Sequence, residues 1–240
     1  RKDYYIEGVV DGEEQISYMY TWAARLLPRG VGFTGRIHEQ EDSSFPAESL
    51  PLLFDHDGYQ QGGKEERNLA ILLDELQEKG DEPYLLFQTA RTLRGMNRHG
   101  EACAYFAEFY QLAPLDGAAY RTGGIIQFLY SLMEIQEFDT ALAIAEEEKD
   151  RLDAYADYHF TCGILYMKAV QSDTAKYIAY LPLIERSYLQ CLAIGEVPLH
   201  QGVNGCGSFK AAHNLGIWYE VSGNLPKAIQ YYETAANQGY

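Results

Sequence analysis

The sequence lacks the features that mark the common catalytic, secreted and membrane classes. No apolar run approaches the ~18 residues a membrane span needs, and no signal peptide is expected. Basic residues are scarce: 19 Lys and Arg stand against 35 Asp and Glu, a formal net charge of −16. Phosphate backbones and anionic lipids would be repelled, which argues against nucleic acid and membrane surfaces as partners. The cysteines Cys103, Cys162, Cys191 and Cys206 lie far apart with no CxxC spacing. Buried free thiols in a reducing, cytoplasmic compartment are therefore expected rather than a disulfide lattice. There is no GxGxxG, P-loop or nucleophile elbow, and His99, His159 and His200 stand isolated, without metal-ligand spacing. Tryptophan is nearly absent, with 2 copies against 20 tyrosines, so tyrosine must do much of the large-residue packing.

What is present is a helical repeat, clearest in Ser208–Tyr240. With Phe209 as position 1, Leu215 and Gly216 take positions 7 and 8, Tyr219 position 11, and Ala228, Tyr232 and Ala235 positions 20, 24 and 27. Small residues fall where two antiparallel helices must cross, aromatics fill between them, and Gly223-Asn224 supplies the turn. The pattern resembles the tetratricopeptide repeat. One such hairpin cannot bury its apolar face alone, so siblings are expected upstream. A first copy starts near Pro83, with Ala90, Ala102 and Phe106 at positions 8, 20 and 24. A second has Leu129, Leu132, Ala141 and Ala145 at 8, 11, 20 and 24. A third has Cys162, Gly163 and Tyr166 at 7, 8 and 11. Its Ile184, Tyr188 and Cys191 come into register only if about nine residues are inserted around 171–180. The Gly-rich stretch 195–207 reads as the segment most prone to disorder.

The first 60 residues are not repetitive. Tyr4–Val10 is a β-type run ending at the turn signal Asp11-Gly12, and Ile16–Leu27, Val31–His38 and Leu50–Phe54 are read as further strands. Lys64–Lys79 then has Leu69, Leu72, Leu73 and Leu76 at helical spacing and is read as a helix capping the array. In such arrays the first helix of each pair lines the concave face, near positions 2, 5, 9 and 12. The expected binding groove contains Tyr84, Phe87, Arg91, Arg94, Tyr130, Met133, Phe160, Met167, Lys210 and His213. That is an apolar lining rimmed by cations, suited to an acidic protein or peptide segment or a polar acceptor. The alternative is that most of its aromatic and Met side chains are core, since the same helix also packs against the neighbouring hairpin.

The head adds a second resemblance. Tyr4-Tyr5-Ile6, Ala24-Arg25-Leu26-Leu27, Gly35-Arg36-Ile37-His38-Glu39-Gln40, His56-x-Gly58-Tyr59 and Glu66-Arg67-Asn68-Leu69 resemble a group of bacterial family 2 glycosyltransferases. In those proteins a GT-A catalytic domain is fused to C-terminal tetratricopeptide repeats. The resemblance implies that 1–60 is the β-rich end of a GT-A domain and 61–240 the repeat domain. The donor half would precede Arg1, and a chain beginning at Arg1 without methionine reads as a piece of something longer. In the complete enzyme Glu39 would be the base that takes the acceptor hydroxyl's proton, and His38 or His56 would complete the shell of a divalent metal, Mn or Mg, on the nucleotide sugar. Asp55-His56-Asp57 is formally a DxD, but it stands where the family has its later His-x-Gly-Tyr segment.

The expected fold is mainly α: a tetratricopeptide-type superhelix behind a small β-rich GT-A remnant. The expected function is that of a glycosyltransferase's repeat domain, binding an acceptor or partner or mediating self-association into a homo-oligomer. The chain alone would hold no cofactor and be inactive. The alternative is a stand-alone scaffold for protein–protein interaction, of tetratricopeptide or Sel1-like type.

Overall fold

A computed structural model gives the structure and describes residues 2–10, 13–20, 26–43, 48, 50, 52–56, 64–115, 119–196 and 202–239. Its contacts cluster into two compact units, Arg1–Gly124 and Ile125–Tyr240. Among the described residues, no helix is long and apolar enough to cross a membrane.

The first unit opens with an antiparallel hairpin, β1 (Lys2–Val10) and β2 (Glu13–Tyr20), in register from Lys2↔Tyr20 to Val10↔Glu13 with one irregularity between Ile6 and Gly8. Its connection, Asp11-Gly12, lies outside the described residues, as does 21–25 of the expected second strand. The expected strand over 31–38 is not formed. Gly35 and His38 take left-handed backbone angles (φ 102° and 53°), which no strand tolerates. The chain folds back there into a small hairpin, β3 (Phe33–Thr34) against β4 (Gln40–Glu41). The expected strand at Leu50–Phe54 is also absent from the described residues. Leu50, Leu52, Leu53 and Phe54 are 48–61% exposed, and the short β5 (Asp55–His56) follows, parallel to β1. The β-rich layer of a GT-A remnant is thus not supported.

Helices account for the rest of this unit: α1 (Glu65–Lys79), α2 (Pro83–Gly95), α3 (His99–Leu112) and the start of α4 (Ala119–Glu134). In α1, Leu69 and Leu72 are buried, Glu65 and Glu66 lie in the first turn and Lys79 in the last, each matched to the helix dipole. Pro83 opens α2, where its missing N–H costs nothing. The centre of this unit is aromatic. Phe87 stacks on Tyr120 at 5.7 Å and lies 5.7 Å from Phe109, while a Cβ on Gly124 would collide with the Phe109 ring.

The second unit contains the rest of α4, then α5 (Phe138–Leu152), α6 (Ala156–Ser172), α7 (Thr174–Tyr177), a 3-10 turn (Ile178–Tyr180), α8 (Leu181–Ile194), α9 (Phe209–Val221) and α10 (Leu225–Asn237). The residues read as inserted at 171–180 are the last turn of α6, α7 and the 3-10 turn. Tyr177 and Lys176 tie them back to Asp139 at 2.9 and 2.6 Å. Tyr188 of α8 lies over Gly163 of α6, and Tyr232 of α10 over Gly216 of α9, so that a Cβ would meet the ring at 2.7 and 2.5 Å. A position-8 glycine beneath a position-24 tyrosine is the packing unit of both hairpins. The crossing expected at Gly216 and Ala228 is made by Gly216 and Tyr232, with Ala228 buried beside them.

Three hairpin turns share one cap. Asn97, Gln136 and Gly223, all at repeat position 15, have φ of 59°, 61° and 76°. In each the next residue's N–H donates five residues back, Arg98 to Leu93, Glu137 to Leu132 and Asn224 to Tyr219, at 2.8–2.9 Å. This is the Schellman closure, which satisfies carbonyls that the helix end leaves open.

Candidate functional site

Helix-first residues of the repeats are expected to line a groove. Phe87, Met133 and Phe160 are instead core, at 6, 2 and 9% exposure, and Tyr84, Tyr130 and Met167 are half-buried. An apolar lining is therefore not formed by these side chains. Position 5 faces the helix pair rather than solvent: Phe87 fills the aromatic centre of the first unit, and Phe160 packs edge-on to Tyr188 at 5.8 Å. Arg91 and Arg94 are half-buried on α2, and Lys210 is buried near the start of α9. His213 is half-buried 5.7 Å from the Tyr232 ring, and burial lowers its pKa, so it is neutral at pH 7.

The Gly35–Gln40 segment is placed more tightly. It forms the tip of the β3–β4 hairpin and is pinned to α1 and α2 from two sides. The Arg36 guanidinium makes two 2.6 Å bonds to the Glu78 carboxylate. The Tyr84 hydroxyl donates to the His38 carbonyl at 3.1 Å, a carbonyl aimed there by the left-handed backbone of His38. A cavity of about 230 Å³ lies between hairpin and helices, lined by His38, Gln40, Glu41, Lys79, Glu82 and Tyr84 among others. Glu39 is exposed and does not line it. His38 does, whereas the side chain of His56 lies outside the described residues, as does Asp57. Among the described residues no three His, Cys, Asp or Glu side chains are grouped to hold a metal ion.

A second constellation holds the loop before α9. The Asp157 carboxylate, on the first turn of α6, accepts from the Val203 N–H at 2.9 Å. Gly202 covers it so closely that a Cβ would meet its oxygen at 2.8 Å. Glu196 accepts from the N–H groups of Gly205 and Gly207 and from the Ser208 hydroxyl, at 3.0, 3.0 and 2.9 Å. The described part of the Gly-rich loop is thus held by two carboxylates; 197–201 of the stretch expected to be disordered lie outside the described residues. All four cysteines are free and buried, and burial pushes the Cys162 thiol up to about 12, which disfavours its thiolate.

Burial pushes Asp157 up to about 6, against bonds from Val203 and Cys206 that favour the ionised form. Glu196 and Lys210 also act on it, and Tyr130 and Cys191 feel its charge. Its unfolded pKa is about 3.9, so between roughly pH 4 and 6 the folded chain holds the extra proton. This contribution favours the fold below pH 4, declines as pH rises through 6 and is constant above that. Asp157→Asn keeps the acceptor for Val203 and removes the titration. The stability of the parent relative to this variant, measured by urea unfolding, is expected to fall between pH 4 and 6 and level off by pH 7. A difference that is flat across this range contradicts the assignment.

No protein-family profile matches the sequence, and no curated protein matches it. Solved structures do. MamA residues 41–end from Desulfovibrio magneticus RS-1 superposes with a TM-score of 0.57 at 15% identity, over 73% of this chain and 85% of that one. TTC0263, a thermophilic TPR protein of Thermus thermophilus, gives 0.52 at 18%, over 73% and 84%. YrrB, described as a TPR protein with an unusual peptide-binding site, gives 0.50 at 14%, over 72% and 77%. At these identities the likeness establishes the fold alone: the chain has a tetratricopeptide-type helical fold.

Proposed function

We propose that the chain is an interaction module that holds a segment of a protein partner beside its first first-position helix, α2, and the hairpin docked on it. The observation that carries this reading is the repeated hairpin with its common left-handed cap, shared in fold with a peptide-binding TPR protein. On α2, Arg91 stands two turns beyond Tyr84 and Arg94 one turn further on, all three half-buried.

A finer reading places the module in a family 2 glycosyltransferase, where it would bind the acceptor or mediate self-association. It draws support from the sequence motifs and from the docking of the Gly35–Gln40 tip on α1 and α2. Nucleotide sugar and metal would then be held by residues other than those described, and the chain alone would be inactive. One experiment serves both readings. Peptides selected from a random library are titrated by fluorescence anisotropy, and UDP- and GDP-sugars with manganese by calorimetry. Micromolar peptide binding without sugar binding is expected. No peptide tighter than millimolar overturns the module reading, and micromolar nucleotide-sugar binding overturns the inactive-chain reading.

A further inference from the structure

We propose that the cavity beneath the β3–β4 hairpin receives a cationic side chain, Arg or Lys, of the bound protein segment. This deepens the reading above and rests on it for the source of the side chain. Three features of the cavity select that chemistry. First, its volume of about 230 Å³ falls below the ≈300–1,000 Å³ of pockets for whole drug-sized ligands, and suits one side chain. Second, its charges are unbalanced. Lys79, the lining ammonium, is held by Glu75 at 2.8 Å, a carboxylate only 1% exposed. Arg36, at the hairpin tip, is engaged by Glu78. Two lining carboxylates, Glu41 and Glu82, also face an incoming group, Glu82 acting on the Lys79 ammonium as well. Third, Tyr84 forms part of the wall. Its hydroxyl is committed to the His38 carbonyl and its ring meets Tyr120 edge-on at 5.2 Å, which fixes it as the aromatic part of the wall.

An anion would meet Glu41 and Glu82 with a lining ammonium already engaged by Glu75, and a neutral apolar group would leave both carboxylates without a partner. A guanidinium or ammonium satisfies both and adds a cation–π contact.

N-acetyl-arginine methylamide, titrated into the full chain and followed by amide NMR shifts, tests the site without any partner. Saturable shifts centred on His38, Lys79 and Tyr84 are expected, with Kd on the order of 1 mM. The neutral isostere N-acetyl-citrulline methylamide should give none, and Glu41→Gln with Glu82→Gln should weaken the arginine probe about ten-fold or more. Both glutamates are exposed, so the double variant keeps the fold. No saturation by about 20 mM, equal binding of citrulline, or an unchanged double variant each overturns the proposal. Library peptides that bind while the probe is silent would sink the cavity assignment and leave the module reading standing. Probe binding with no peptide bound would sink the module reading and leave a small-cation site.

Discussion

Phe109→Ala is expected to destabilise the first unit by about 3–5 kcal/mol, the range for a large aromatic removed from a core that collapses poorly. Collapse is hindered here for a specific reason. Phe109 is fully buried, and its neighbours Phe87 and Tyr120 are rings at 5.7 and 6.1 Å that already stack on each other. Gly124 faces the same ring and has no side chain to move into the space. Urea unfolding measures the loss, and a surface change such as Glu147→Gln should stay within about ±0.5 kcal/mol. Phe109→Ala within that same margin would mean that this aromatic centre is not what holds the first helices together.

The second large effect has the opposite cause, overfilling. Gly163→Leu is expected to cost about 1–3 kcal/mol or more, because even a Cβ would sit 2.7 Å from the Tyr188 ring. Tyr188 is 1% exposed and braced edge-on by Phe160, so it has nowhere to go. The same change at Gly216 should cost less, since Tyr232 is half-buried and its ring can swing outward. Gly123→Ala is the control of opposite sign: nothing lies within 4 Å of its Cβ, and an alanine inside α4 should stabilise by about 0.5–1 kcal/mol. If Gly163→Leu and Gly123→Ala shift unfolding equally, the two glycines do not differ in packing and the hairpin assignment fails.

These variants also mark what is legible in the sequence itself. The glycines at position 8 and tyrosines at position 24 are visible because helix crossings admit only small residues, whatever the surroundings. Of the three left-handed caps only Gly223 is visible. Asn97 and Gln136 carry side chains, and only the position-15 register, compared across repeats, could expose them. Phe87, Met133 and Phe160 are expected in a groove because repeat position alone does not say which neighbour covers a helix face. The covering rings of Tyr120 and Tyr188 come from other helices. The Asp157 and Glu196 contacts are illegible for a related reason, since a carboxylate on α6 and one just past the end of α8 reach backbone N–H groups 9 to 46 residues away. In the head, the strand propensity of Val31–His38 gives way to two left-handed residues and to anchoring by Arg36 and Tyr84.

The most direct test of the interaction-module account is a hydrogen-exchange footprint of the full chain with the tightest library peptide bound. Slowed exchange is expected on the helix-first elements, beginning with α2 around Tyr84 to Arg94, and on the Phe33–Glu41 hairpin. Slowing confined to the second helices of the pairs, α3, α5, α8 and α10, with α2 and the hairpin unchanged, would contradict it.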